Sequence, residues 1–358
     1  MTCLMWGIVL LSLSLTDGTI VSSKNSTNCG SINVSSFNKV QVQDKQDSKS
    51  RIRIMQYNVE WLFIDYYAPV DCPGGGCSWT STDEAIQHLL RISSAVNDIR
   101  PDIINICEVE GCNELSKLKD ELNDTSYNPY LVQGTDTSTG QNVGMLSKIA
   151  PIDNELYRSE EKMNYPIPNS SCGSGLPNGS TGLSKHYISK FKINNLNIAF
   201  ISAHLIAIPT DPHRCSQREA QAQILQNIVY KHVQEGYEIV LLGDFNDYDG
   251  SVPDTNSNQP LSSVLEILKG NAGRLNNTYK LQPIARRISQ NERYSNWWDS
   301  DNQCNTSSKM DYSLIDHILV SNAIDDRIAD AFIYHEYGEY CGKMDSDHYP
   351  LVIDIDVD

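Results

Sequence analysis

The sequence predicts a single α/β (α+β) domain in which β-sheets are covered by helices. Three observations predict it. Strand-like and helix-like segments interleave over about 300 residues, with no Pro/Ser-rich linker and no internal repeat. Apolar residues make up 40% of the chain, ample for a substantial core. The length of 358 residues exceeds the usual domain size, yet large sandwich folds fill it as one unit.

Residues 1–18 read as a signal peptide. An apolar run from Leu4 to Leu15, too short to span a bilayer, leads into Thr16-Asp17-Gly18. Residues 19–50 are rich in Ser, Asn, Lys and Gln with little periodicity and read as a mobile leader. The folded domain is expected over 51–358. Ile52 to Glu60 alternates apolar and polar side chains as a half-buried strand does. After a Gly- and Cys-rich loop, Ala85, Leu89, Ile92, Val96 and Ile99 fall on one helical face between Asp83 and Ile99, and Pro101 stops the helix. Asp102 to Cys107 is a mostly apolar run, fitting a buried strand. Ile198–Leu205 is read as a strand, Gln217–Gln234 as a helix, and Glu238–Leu242, Ile315–Ser321 and Pro350–Val357 as strands.

Seven Asn-X-Ser/Thr acceptors, at Asn25, Asn33, Asn123, Asn169, Asn178, Asn276 and Asn305, point to secretion. The ten cysteines agree. Cys3 falls in the signal and leaves nine, so at least one should be unpaired; Cys107, inside an apolar strand, is the candidate buried free thiol. Cys72 and Cys77 flank Pro-Gly-Gly-Gly and can close a small loop. Zinc is the competing explanation, but no CxxC pair has a second pair at matching distance, so disulfides are the better reading. No later apolar stretch is long enough for a bilayer, and Asp354-Ile355-Asp356-Val357-Asp358 does not fit a hydrophobic anchor signal. The net charge of −17 is not that of a protein that binds nucleic acid by bulk charge; it suits either solubility or carboxylates gathered around metal.

The chemistry lies where the strands end. Asn58 and Glu60 end the first strand and Glu108 the second, with Glu110 two positions on. His204 ends the third, Asp244 and Asn246 follow Val240-Leu241-Leu242-Gly243, Asp316 lies in the next strand, and Asp347-His348 precedes the last. Any one of these alone is read as a turn residue or helix cap; together they describe a site on strand-end loops of a rigid scaffold. Hard oxygen donors such as Glu and Asp suit Mg²⁺ or Mn²⁺, and His and Asn supply donors to phosphoryl oxygens.

Six ordered motifs carry a family resemblance. They are Gln56-Tyr57-Asn58-Val59-Glu60, Ile106-Cys107-Glu108-Val109, Ala203-His204-Leu205, Gly243-Asp244-Phe245-Asn246-Asp247, Ile315-Asp316-His317-Ile318-Leu319-Val320-Ser321 and Ser346-Asp347-His348-Tyr349-Pro350. Over Arg51 to Asp358 the chain resembles the endonuclease/exonuclease/phosphatase superfamily, the fold of deoxyribonuclease I. Arg218-Glu219-Ala220-Gln221 resembles the Arg-x-x-Gln that often follows the His-Leu motif. The resemblance implies a four-layer sandwich of two packed mixed sheets flanked by helices. It implies Glu108 as principal Mg²⁺ ligand, helped by Asn58 and Asp347, with Glu60 a candidate second ligand. Asp244 would orient and activate water, Asn246 would hold the phosphate and support Asp244, and His348, polarised by Asp316, would stabilise the transition state. His204 would be the second histidine, an acid or phosphate ligand, and Arg218 a substrate contact.

Glu110 and Asp311 are read as loop residues, His317 as a strand residue facing away from the site, and His186 and His213 as exposed loop histidines. The motifs imply a secreted Mg²⁺-dependent phosphodiesterase, with Mn²⁺ a substitute. Nucleic acid is the leading substrate and phospholipid, as in sphingomyelinases, the alternative; a catalytically dead binding module would be expected to have lost ligands. Arg214, Arg218, Arg286, Arg287, Arg293 and Lys309 are candidate backbone contacts. Trp297-Trp298 either stacks on bases or closes the core, with the core favoured.

Overall fold

The computed structural model describes residues 20–21, 29, 50–64, 79, 81–175, 177–299, 311–337 and 345–358. The signal peptide, the Cys72–Cys77 loop, Lys309 and the acceptors Asn25, Asn33 and Asn305 lie outside the described residues.

The chain begins with β1 (Ile20–Val21), β2 (Arg51–Leu62), α1 (Thr82–Ile99), β3 (Ile103–Val109) and α2 (Cys112–Asp120). Next come β4 (Asn128–Leu131), β5 (Asn142–Ser147), β6 (Arg158–Ser159), β7 (Lys162–Tyr165), β8 (Gly179–Gly182), β9 (Lys185–Ile193), β10 (Leu196–His204) and α3 (Pro212–Gln234). The last third holds β11 (Glu238–Asp244), α4 (Val264–Leu268), β12 (Leu281–Pro283), β13 (Asn296–Trp297) and β14 (Tyr312–Ser313). It closes with β15 (Asp316–Ser321), α5 (Asn322–Asp325), β16 (Ile328–Ile333) and β17 (Leu351–Asp356).

Helix ends follow local chemistry. The Ser81 side chain accepts from Glu84 N–H, Asp83 and Glu84 sit in the first turn of α1, and Arg100 ends it in the left-handed region before Pro101. Helix α3 starts five residues before the expected Gln217, because Asp211 caps His213 N–H and Pro212 occupies the first turn.

Two mixed sheets dominate. The six-stranded sheet has the order β16-β17-β2-β3-β5-β4, the five-stranded one β12-β15-β11-β10-β9. Each holds one parallel pair, β2–β3 and β10–β11, among antiparallel neighbours. Alternation along the strands builds three apolar layers. Ile52, Ile54 and Ile353 of one sheet meet Phe200, Val240, Leu242 and Ile318 of the other in the inter-sheet core. Met55, Ile104 and Ile106 face α1 and α2, whereas Ile201, Leu241 and Leu319 face α3 and α4. The result is the four-layer sandwich implied by the resemblance.

The expected leader is tied down at two described points: Ile20–Val21 pair with β6, and Cys29 is bonded to Cys112 at the start of α2. A second disulfide joins Cys172 to Cys215 on α3. Cys107 is the free buried thiol that was expected, pushed up by burial. The acceptors Asn123, Asn169, Asn178 and Asn276 are exposed.

His186 corrects the sequence reading. It is a buried residue of β9, 1% exposed, whose Nε2 accepts from Ser159 N–H at 2.9 Å and must therefore be unprotonated. Burial, then the neighbouring Arg158 charge, holds it down at about 3. The unfolded chain takes up this proton below pH about 6.5, the folded chain only below about 3, so stability from this residue is lost as pH falls through that window. We expect a loss of about 2 kcal/mol at pH 5 from this group. Denaturant titrations at pH 7 and 5 should show His186→Gln, which can still accept from Ser159, losing less by that amount; equal losses would refute the assignment. His213, at the start of α3, is exposed as expected but lies on a helix rather than a loop.

Candidate active site

The same alternation that builds the inter-sheet core places the polar residues. Gln56 and Asn58 continue the inward face of Ile52 and Ile54, Asp244 that of Val240 and Leu242, Asp316 that of Ile318, and His204 that of Phe200. At one end of the sandwich the facing surfaces therefore change from apolar to polar, and a cleft of about 830 Å³ opens there.

Glu108 reaches this cleft through a bulge. Cys107 faces the inter-sheet core and Ile106 the helices, so plain alternation would send Glu108 beneath α2. Instead the register shifts between Cys107 and Val109 against β5, and Glu108 adopts φ 67°, which turns its carboxylate into the cleft. Glu60 and Trp61 have positive φ in a matching irregularity of β2. Gly243 has φ 148°, and a Cβ there would lie 1.9 Å from Ala203 O of β10; only glycine permits β11 to carry Asp244 so close to β10.

Asn58 is the hub. Its Nδ2 donates to Asp244 Oδ2 at 3.0 Å and Glu108 Oε1 at 3.1 Å, and lies 3.4 Å from His348 Nε2. His204 Nε2 is 3.6 Å from the same Asp244 oxygen and 3.8 Å from Glu108 Oε1. Asn246 N–H donates to Asp244 Oδ1 at 2.9 Å, while its side-chain amide donates to Leu205 O. Glu60 Oε2 accepts from Asp347 N–H, so β2 holds the loop that presents His348. Ser346 Oγ donates to Asn58 O and accepts from His348 N–H.

Asp316 and His348 form a dyad, with Nδ1 to Oδ2 at 2.6 Å. Gln56 Nε2 and Ser295 Oγ donate to the same carboxylate at 2.9 and 2.8 Å, fixing it for the imidazole. Burial opposes a charged His348, but Asp316, Asp347 and Asp244 outweigh it and raise it well above its ordinary value. Burial, then the Asp316 charge, pushes Asp244 up to about 7, against the lowering effect of His348, Asn246 N–H and Asn58. Burial, Lys185 and His348 hold His204 well below its ordinary value, so it is neutral. The arrangement thus offers a carboxylate poised to take a proton and a cationic imidazole beside it.

The donor set suits a hard divalent cation. Glu60, Glu108, Asp244 and Asp347 all line the cleft, and no Lys or Arg does so among the described residues. A phosphate ester entering this field needs a cation to neutralise it. Glu108 Oε1 and the Asn58 amide, whose oxygen accepts from Glu60 N–H at 3.1 Å and would turn toward the cleft to serve a cation, are the available ligands, with Asp347 and Glu60 beside them. Asp244, Asp316 and His348 also offer ligand atoms within 4.8 Å of one another. That trio is already engaged by its own hydrogen bonds, and its Asp316–His348 contact is the orienting bond of a base or acid rather than a metal site.

The structure brings Asn58, Glu60, Glu108, His204, Asp244, Asn246, Asp316, Asp347 and His348 to one end of the sandwich. It does not bring Arg218. That side chain is fully buried, paired with Asp247 at 2.8 Å, and donates to the carbonyls of Ile206, Ile208 and Pro209. It supports the rim of the cleft from behind instead of touching substrate. Arg286 and Arg287 pair with Asp325, beyond the end of β15 opposite to Asp316, and Arg293 donates to three backbone carbonyls. None of these three lines the cleft; Arg214 sits beside its rim, donating to Ala207 O. His317 faces away, its Nε2 against Asp247 O and its ring stacked on Phe245, as expected. Trp297 is core, but Trp298 is 67% exposed and lines the cleft, which corrects half of that reading. Asp311, expected to serve its loop, also lines it.

Sequence reasoning missed the supporting residues Gln56, Ser295, Ser346, Gln141 and Lys185. Gln56 was within reach, since it precedes Asn58 by two on one strand face. Gln141, Lys185 and Ser295 belong to no motif.

Comparison with known proteins gives the same fold. The model of the Endonuclease/Exonuclease/phosphatase family matches residues 55–348. Truncated TDP2 of Caenorhabditis elegans superposes with a TM-score of 0.51 at 13% identity, over 86% of this chain and 98% of that one. An endonuclease/exonuclease/phosphatase protein of Beutenbergia cavernae gives 0.50 at 16% identity, over 86% and 72%. D. rerio TDP2 humanized by 14 mutations gives 0.50 at 15%, over 86% and 100%. No curated protein matches the chain.

Proposed function

The chain belongs to the endonuclease/exonuclease/phosphatase family, and we propose that it is a secreted, Mg²⁺-dependent nuclease that hydrolyses DNA. That it is a metal-dependent phosphodiesterase follows from the family; secretion, the ion and the nucleic acid are our reading. The observation that carries it is the meeting of Asp244, Glu108 and His348 around the Asn58 amide.

Glu108 and Asn58 would hold the divalent ion, which would supply neutralisation of phosphate charge and polarisation of the scissile bond. Asp244, held by Asn58 and by Asn246 N–H, accepts the proton of the attacking water. His348, kept cationic by Asp316, donates from Nε2 to a phosphoryl oxygen as charge grows there. Neutral His204, 3.6 Å from Asp244, is placed to bind a second phosphoryl oxygen.

Among the described residues, two disulfides and four exposed glycosylation acceptors support secretion. Exposed Trp298, with Trp61, Tyr248 and Tyr312 along the cleft, supports nucleotides over an unadorned phosphate ester, because every base offers a ring face for stacking. Purified protein with Mg²⁺ should cleave plasmid DNA; hydrolysis of sphingomyelin with DNA left intact would replace this reading with the lipid one. Chelation should abolish turnover, and Mg²⁺ or Mn²⁺ should restore it. Full activity in excess chelator would remove the metal assignment.

A further inference from the structure

We propose that Gln141 and Lys185 are positioning residues that fix which oxygen of Glu108 faces the metal, through a hydrogen-bond chain that runs in one direction only. The proposal rests on the reading of Glu108 as metal ligand.

Lys185, the first residue of β9, donates from Nζ to Gln141 Oε1 at 3.1 Å. Gln141, next to β5 in the opposite sheet, donates from Nε2 to Glu108 Oε2 at 2.7 Å. A carboxamide has two faces and by itself would not choose between them. A lysine has donors only, so it compels Gln141 to offer oxygen on its side and therefore N–H on the other. Asp136 lies 3.7 Å from Lys185 Nζ and holds the far end of the chain. Gln141 and Lys185 are 4% and 9% exposed, so water competes little for these bonds.

The consequence falls on Glu108. Trp61 N–H donates to Oε2 as well, at 3.2 Å. Two donors thus engage Oε2, and Oε1 is left turned to Asn58 and His204, where the other site groups converge. Glu108 sits in a bulge with its side chain 15% exposed, where packing alone holds a carboxylate loosely. Without Gln141 the group can rotate about its last torsion, and the ligand oxygen is no longer preset. Lys185 is also the residue opposite His204 in the β9–β10 ladder, so the bridge ties Glu108 to the strand pair that carries the second histidine.

The test is calorimetric titration of Mn²⁺ into the intact protein without substrate, beside a melting curve of each variant. Gln141→Leu should bind Mn²⁺ about tenfold more weakly, in the range for groups that orient a ligand. Lys185→Gln, which no longer imposes a direction, should weaken binding too. Lys185→Arg, again donor-only, should stay within about twofold of the native protein. Glu108→Gln should abolish the binding. Native affinity in Gln141→Leu and Lys185→Gln, with Glu108→Gln still silent, would overturn the chain of donors and leave the metal site standing. Arginine as damaging as glutamine at 185 would overturn its directionality, and this pair decides the matter if Gln141→Leu fails to fold. No Mn²⁺ binding by the native protein would remove the metal reading and the proposal together.

Discussion

Asp244→Ala and His348→Ala should each lower phosphodiester turnover by about 10²–10⁴. The two residues come from opposite sheets, Asp244 from the end of β11 and His348 from the loop before β17. They meet with His348 Nε2 3.9 Å from Asp244 Oδ2, both in contact with Asn58. Each is buried, and each is shifted by the other's charge. Removing Asp244 takes away the proton acceptor; removing His348 takes away the site's cationic donor and leaves Asp316 facing a gap. Groups that act on one transition state do not combine independently, so the double variant should lose less than the product of the single losses. The melting temperature separates this from unfolding, since deleting one of two clustered acids relieves repulsion that the Asp316 charge exerts on Asp244. Turnover by both single variants within about threefold of the native protein would return both residues to the ends of ordinary turns.

Much of this site was legible because strand alternation determines which side chains share a face. The six motifs lie on β2, β3, β10, β11, β15 and the approach to β17, which form the middle of both sheets. Their apolar periodicity identifies them, and the polar residue that breaks it marks the site. The shortest strands carry no such signal. β8 is Gly179-Ser180-Thr181-Gly182, and β12 and β14 are three and two residues long; their pairing comes from tertiary contact rather than local pattern. Bulges are equally silent. The left-handed turn at Glu108 exists because β3 slips against β5, so the motif could imply its role but not how its carboxylate reaches the cleft. Burial of polar groups was misjudged for the same reason. His186 reads as exposed until Ser159 N–H is seen to need an acceptor, and Trp298 reads as core until its partner Trp297 takes that place.

Arg218 shows what such misjudgement hides, and its replacement is the largest expected effect on stability. Arg218→Met should destabilise the fold by about 3–5 kcal/mol, the range for breaking one partner out of a buried ion pair. Asp247, fully buried itself, would keep Ser262 Oγ and Tyr248 N–H as donors but lose its countercharge. Three carbonyls of the 206–209 segment would lose donors at the same time. One of them belongs to Ile208, a β-branched residue held at φ 69°, where such side chains are strained unless their surroundings hold them. Arg218→Met with Asp247→Asn should recover part of the loss, since the stranded charge is gone. The salt dependence of kcat/KM separates this role from the nucleic-acid backbone contact expected of Arg218. An arginine that neutralises a backbone phosphate contributes to that slope; one sealed behind the cleft does not. An unchanged melting temperature with a shallower salt slope would restore Arg218 to the substrate, whereas a large fall in melting temperature with the slope intact would establish it as the support of the cleft's apolar rim.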